Sequence, residues 1–250
     1  MVSLRGKRTL ELGSSMIGLP QSLRHVKRAF HILRGRDLCQ RKQLHRDSIC
    51  LGSPGASWCV CPHGLSASSI VYSMGVGEEI SFDLELIRRF GVRVYAFDPT
   101  PRSIEWLAKQ SLPGNFLFHP YGVAGFDGHA KFLPPVNPAH VSHTLVERQT
   151  PWPAMEVPVR RLCSIMQELG HQRIDLLKMD IEGAEYAVLK DLLASRISVH
   201  QLLVEFHHRW PEIGVEETRQ AIRDLNSAGY RIFDVSPSGE EYGFLRVAGC

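Results

Sequence analysis

Ile174-Asp175-Leu176-Leu177-Lys178-Met179-Asp180-Ile181-Glu182-Gly183-Ala184-Glu185-Tyr186 is the stretch that decides how the chain is arranged. A mostly apolar run enters a carboxylate, a glycine follows three residues later, and helical periodicity begins. This pattern predicts a buried strand, an acidic tip and a helix. Ligands of open parallel α/β sheets sit beyond the carboxyl ends of the strands, so Asp180 and Glu182 stand where chemistry is expected.

Working outward, residues 70–74 form a short β-prone run, Gly75-Val76-Gly77-Glu78-Glu79 follows, and Phe82, Leu84, Leu86, Ile87 and Phe90 recur at helical spacing. That is strand, glycine turn, helix. A second strand over 92–97 ends on Asp98-Pro99, where proline discourages a continued ladder. A helix over 102–110 and a strand over 115–119 come next. Asp127-Gly128 is expected to turn a hairpin between Val123 and Phe132. The proline-rich loop 134–156, with Trp152, breaks regular structure, and long loops inside compact domains are often functional. Beyond it the spacing predicts a strand over 157–160 and a helix over 164–169. A helix to about 194, a strand over 201–206, a helix over 215–228 and strands over 230–235 and 242–247 complete the chain. Alternating strands and helices with a closing strand pair imply a doubly wound, mostly parallel sheet carrying an antiparallel edge strand, with helices on both faces.

Residues 1–46 hold 11 Lys and Arg against Glu11 and Asp37, a net +9, whereas residues 47–250 hold 18 against 24, a net −6. The basic character therefore belongs to an N-terminal arm, in which one short helix over 22–34 is closed by Gly35. Such an arm suits an acidic surface such as nucleic acid or anionic lipid, or an organelle presequence, and most often is a solvated extension. Residues 47–68, rich in Gly, Pro, Ser and Cys, read as a linker that packs Trp58 against a domain over 69–250. No apolar run approaches the roughly 20 residues of a membrane-spanning helix. The start also lacks the apolar core of a secretory signal, so a cytoplasmic chain is expected. The six cysteines match neither a paired zinc pattern nor a dense disulfide framework. Reduced thiols are the expectation; Cys50, Cys59, Cys61 and His63 are a weak alternative metal set.

Gly75 and Gly77 leave room for a ligand close to the backbone, and Asp98, 21 residues after Gly77, stands where an acid binds ribose hydroxyls. A dinucleotide fingerprint wants a third small residue at position 80, which is Ile80. Glu78 and Glu79 would also repel a pyrophosphate. A donor carrying an ammonium and a sulfonium, S-adenosyl-L-methionine, suits the turn better than NAD.

The segment from Ile174 to Tyr186, with Val204-Glu205-Phe206-His207, resembles the signature segments of FkbM-type S-adenosylmethionine-dependent methyltransferases. The runs from Tyr72 to Asp83 and from Ala96 to Pro101, and the loop His140-Val141-Ser142-His143-Thr144, are similar to a subgroup of that family. The resemblance covers about residues 65–248 and excludes the arm. It implies a Rossmann-like seven-stranded class I methyltransferase sheet and methyl transfer to an oxygen of a small molecule or glycan. It further implies that Gly75, Val76 and Gly77 face the methionine part, Asp98 the ribose, Gly122 and Val123 the adenine, and Asp180 the edge of the transfer site.

Methyl transfer to oxygen needs an aligned acceptor and a group to take its proton. Asp180, Glu182, His207 and His143 are the candidates, and the ordinary imidazole pKa suits His207 to that task. Asp180, Glu205 and His207 alternatively form a set for a divalent metal. An NAD-dependent oxidoreductase on a Rossmann fold and a non-catalytic nucleotide-binding module are the other two readings.

Overall fold

The computed structural model of the chain describes residues 21–133 and 153–247. Helix α1 (Gln21–Leu33) and the hairpin β1 (Ile49–Leu51) and β2 (Trp58–Val60) precede β3 (Ile70–Met74), α2 (Ser81–Phe90), β4 (Arg93–Phe97), α3 (Pro101–Leu107) and β5 (Phe116–His119). Strands β6 (Gly122–Val123), β7 (Gly128–Phe132) and β8 (Met155–Arg160) lead into α4 (Leu162–Leu169), β9 (Ile174–Met179), α5 (Glu185–Ala194) and β10 (Val199–Glu205). Helix α6 (Val215–Ser227), β11 (Tyr230–Val235) and β12 (Glu241–Arg246) close it.

Seven strands share one sheet in the order β5-β4-β3-β9-β10-β12-β11. Neighbours from β5 to β10 run parallel, and β12 is antiparallel to both β10 and β11. The reversed strand thus lies one place in from the edge, which is β11. Strand β9 is central because both its faces are covered, which is why its sequence is nearly continuous in apolar residues. Leu177 and Met179 point into a core shared with α4, α5 and α6, and Leu176 points to the opposite core with α2, α3 and the hairpin. Each such fully buried leucine contributes about 1.5–3 kcal/mol. The consequence is a rigid central strand that fixes Asp180 at its carboxyl end.

Three features differ from the sequence reading. First, Asp127-Gly128 does not turn a hairpin: β6 and β7 both pair with β8, which lies between them. Asp127 instead accepts hydrogen bonds from the Arg161 N–H at 2.8 Å and the Ser164 hydroxyl at 2.7 Å, capping the start of α4. Local turn chemistry could not reveal a partner strand 30 residues away.

Second, residues 47–68 contain the β1–β2 hairpin, whose register sets Cys50 opposite Cys59, and these two form a disulfide. This corrects the expectation of reduced thiols for Cys50 and Cys59 and dissolves the Cys50, Cys59, Cys61 and His63 metal set. Cys39, Cys61 and Cys163 are free. Closing so short a loop stabilises the folded hairpin by about 2–3 kcal/mol. Mutating Cys50 and Cys59 together to serine should lower the melting temperature by several degrees, and reducing the wild type should do the same; an unchanged transition would show that the bridge constrains nothing.

Third, the arm is partly folded onto the sheet. Gln43 and Leu44 donate backbone hydrogen bonds to Ile232 at 2.7 and 3.0 Å, and Lys42 pairs with Asp234 at 2.6 Å, covering the β11 edge. Nearby, the buried Asp37 accepts from the Leu38 N–H and pairs with His208 at 3.2 Å and with Arg209. Burial opposes its charge, yet His208 and Arg209 outweigh burial and hold the carboxyl below its ordinary value of 3.8. A depressed carboxyl pKa contributes stability that is complete above the unfolded value and is lost as pH falls through the folded one. The urea midpoint should therefore decline below about pH 3.8, and this decline should be shallower in Asp37→Asn; identical pH profiles would take Asp37 out of the acid response.

Among the described residues, no helix is long and apolar enough to cross a membrane.

Candidate active site

The tips of β3 and β9 are held against each other. The Gly75 N–H donates to Phe97 O at 2.9 Å and the Asp180 N–H to Met74 O at 3.2 Å. Gly75 adopts φ +72°, and a Cβ placed on it would lie 1.7 Å from the Asp180 carbonyl oxygen, so no side chain fits between the two tips. Gly77, at φ +55°, has the opposite surroundings: a Cβ there would meet nothing within 4 Å. The space beside Gly77 belongs to a cavity of about 260 Å³. Gly75, Val76, Gly77, Asp98, Gly122, Val123 and Asp180 all line it, together with Glu182, Glu205 and Trp58.

Asp98 is 4% exposed, and its carboxylate spans two loops: Oδ2 accepts from the Gly77 N–H and Oδ1 from the Thr100 N–H, each at 2.8 Å. It is therefore both a turn former and a cavity wall, with one lone pair on each oxygen still available. Glu78 pairs with Arg102 at 2.8 Å. Glu79 accepts from the Ser81 N–H at 2.8 Å and the Ser53 hydroxyl at 3.1 Å, tying the hairpin to the start of α2. Arg102 offsets the Glu78 charge, so repulsion of a pyrophosphate falls mainly to Glu79. Ile80, 4% exposed, fills the place of the third fingerprint glycine.

Beyond the β9 tip the wall is acidic. Asp180 lies 3.8 Å from Lys178 Nζ, with about 30% of its side chain open to the cavity. Surrounding protein excludes water and pushes its carboxyl up to about 6, although Lys178 opposes this; Glu182 adds to it. Glu182 sits at φ +53°, and the tight turn is closed by Glu185, whose Oε1 accepts from the Ile181 N–H at 2.8 Å and the Gly183 N–H at 3.3 Å. His207, just past β10, rests between two carboxylates: Nε2 is 3.3 Å from Glu182 and Nδ1 is 3.2 Å from Glu185. Burial disfavours the imidazolium, but Glu185 and Glu182 together raise its pKa well above the ordinary value. Both neighbouring carboxylates therefore favour the protonated ring over the free one. Glu205, at the adjacent tip, is raised well above its ordinary value by burial, Asp180 and Glu241.

The family model of the Methyltransferase FkbM domain matches residues 75–232, which hold both strand tips and the β10 end. The chain belongs to the FkbM methyltransferase family. It is 28% identical over 174 residues to "Probable methyltransferase-like protein 24" of Homo sapiens and 29% identical to its namesake of Rattus norvegicus, in each case over 65% of this chain. It spans about two-fifths of those relatives, covering 41% and 42% of their lengths. Among solved structures it is similar to the FkbM methyltransferase of Methylobacillus flagellatus KT, at 13% identity and TM-score 0.45 over 72% of this chain and 44% of that one. It is also similar to Aeropyrum pernix fibrillarin in complex with natively bound S-adenosyl-L-methionine, at 11% identity and TM-score 0.40 over 84% and 85%.

In this FkbM-family chain three site residues went unnoticed in the sequence. Lys178 is 6% exposed, donates to Gly75 O at 2.7 Å and stands 5.5 Å from the Trp58 ring centroid. Its signal was a lysine inside an otherwise buried strand, which demands a partner. Asp83, 2% exposed on α2, lines the cavity and is pushed up to about 6 by burial, tempered by Lys178 and the nearby Ser73 hydroxyl. Glu185, at the start of α5, is wholly buried and lies 3.2 Å from His207 Nδ1. His143 and Trp152 lie outside the described residues.

Proposed function

We propose that the chain transfers a methyl group from S-adenosyl-L-methionine to a hydroxyl oxygen of a small molecule or glycan. The observation that carries this reading is the carboxylate of Asp180, held at the cavity's edge by the Gly75–Asp180 contact and given no hydrogen bond by the described residues. The donor fits the residues present. The open space beside Gly77 accepts a backbone-close ligand, and the acidic lining favours a cationic one. Gly75, Val76 and Gly77 would border its methionine part, Asp98 would take ribose hydroxyls with its free lone pairs, and Gly122 and Val123 would flank the adenine.

When bound, S-adenosyl-L-methionine supplies an electrophilic methyl, so that a carbon–oxygen bond forms as the carbon–sulfur bond breaks and the electron pair stays on sulfur. What remains for the protein is to orient the acceptor hydroxyl and receive its proton. Asp180 faces that position, and Lys178 limits how far its charge is disfavoured. Glu182 and Glu205 extend the same wall, with His207 3.3 Å from Glu182.

A thermal-shift titration tests the donor. S-adenosylhomocysteine should raise the melting temperature and NAD should not; the reverse would support the oxidoreductase reading and end this one. Asp98→Asn, which keeps an oxygen for a backbone N–H, should weaken S-adenosylhomocysteine about ten-fold, the worth of a charged hydrogen bond.

A further inference from the structure

Asp180 and Glu205 close adjacent parallel strands, β9 and β10, and both side chains enter the cavity wall. One ligating atom from each, and one from His207, lie within 4.8 Å of one another. Neither carboxylate receives a hydrogen bond from the described residues, and the nearest cation to Asp180 is Lys178 at 3.8 Å, which already donates to Gly75 O at 2.7 Å. Two carboxylates facing one space repel each other, and beside His207 a shared cation would relieve that repulsion.

The imidazole adds an independent feature. His207 is 8% exposed, and its Nδ1 lies 3.2 Å from Glu185 Oε1. Glu185 is itself fixed, because that same oxygen accepts the Ile181 and Gly183 N–H groups at 2.8 and 3.3 Å. A buried carboxylate this close to one imidazole nitrogen, at ion-pair distance though without hydrogen-bond geometry, is placed to support a metal-ligating histidine once the ring turns onto it, and it leaves the other nitrogen for the ion. Here that nitrogen is Nε2, which faces Glu182 at 3.3 Å.

We propose that Asp180, Glu205 and His207 form a site for one divalent cation of the Mg²⁺ and Mn²⁺ class at the acceptor end of the cavity. Two carboxylate oxygens favour hard ions, and the imidazole extends the range to Mn²⁺. Three protein ligands leave coordination positions open for water and an acceptor oxygen, whose proton the ion makes easier to remove. The existence of the site does not depend on the methyltransferase reading, but its role in activating the acceptor rests on that reading. Glu185 is then a positioning residue, acting through the His207 ring. Glu182 turns aside or joins the ion.

The test is a Mn²⁺ titration of the full chain, with free Mn²⁺ followed by electron paramagnetic resonance and S-adenosylhomocysteine binding measured calorimetrically on the same preparations. One Mn²⁺ should bind per chain. Glu205→Gln and Asp180→Asn should each weaken it about ten-fold or more, and Glu185→Gln by about 10–100-fold, the range for a supporting partner. Glu105→Gln, an exposed acid of α3, should leave it unchanged. Circular dichroism checks that each variant is folded, and Glu205→Gln, which keeps side-chain shape, decides the matter if the buried Glu185 variant fails to fold. If S-adenosylhomocysteine binds but Mn²⁺ does not, the metal site is overturned and the donor reading stays intact. Binding of Mn²⁺ without S-adenosylhomocysteine would keep the site and remove its catalytic role. Mn²⁺ binding that no substitution at Asp180, Glu205 or His207 weakens would also overturn the assignment.

Discussion

Asp180→Asn should lower turnover by about a hundred-fold or more while S-adenosylhomocysteine affinity changes by no more than about three-fold. The loss follows from the usual worth of a positioned proton acceptor, about 10²–10⁴ in rate. Asparagine preserves the shape of the β9 tip and the Asp180 N–H bond to Met74 O, so the cavity stays built. It removes the charge from a side chain that lines the cavity. Steady-state kinetics against calorimetry separates the two quantities. Unchanged turnover would take Asp180 out of the chemistry, and a collapse of donor affinity with turnover preserved at saturation would make it a binding residue.

Gly75→Ala should cost about 3 kcal/mol or more of folding stability and abolish donor binding. A Cβ at φ +72° is strained in its own right, by about 1–2 kcal/mol. It would also stand 1.7 Å from Asp180 O, so the β3 and β9 tips must separate, and overpacking of this kind adds about 1–3 kcal/mol. Urea denaturation read by fluorescence measures the stability term. Gly77→Ala isolates the conformational term: at φ +55° it carries the same strain but meets nothing within 4 Å. Equal destabilisation of the two variants would refute the claim that the tips are in contact at Gly75.

Much of the fold was legible because its signals are local. β9 declares itself by an apolar run buried on both faces, and the β3, Gly75-Val76-Gly77, α2 unit by a change of period across a glycine turn. The cavity residues Gly75, Gly77, Asp98 and Asp180 were legible for the same reason: each ends a strand whose limits the pattern marks. Features that rest on long-range pairing were not. The β6-β8-β7 sheet contains a two-residue strand and joins segments 30 residues apart, and the Cys50–Cys59 bridge depends on a hairpin register that composition hides. His207 is the instructive case. Its ordinary pKa fitted a base, yet Glu182 and Glu185, which the fold brings from a different strand end, shift that pKa upward. Lys178 shows the converse, a conspicuous residue whose partner, Gly75 O, becomes visible only once β3 lies beside β9.

The central claim, that the cavity between the β3, β4 and β9 tips holds the methyl donor against Asp180, is tested most directly by a crystal structure of the chain with S-adenosylhomocysteine at saturating concentration. The account predicts the ligand beside Gly75 and Gly77, its ribose hydroxyls on Asp98, its adenine at Gly122 and Val123, and its sulfur facing Asp180. A ligand bound elsewhere, or a sulfur turned away from Asp180 with Asp98 free of the ribose, would contradict it.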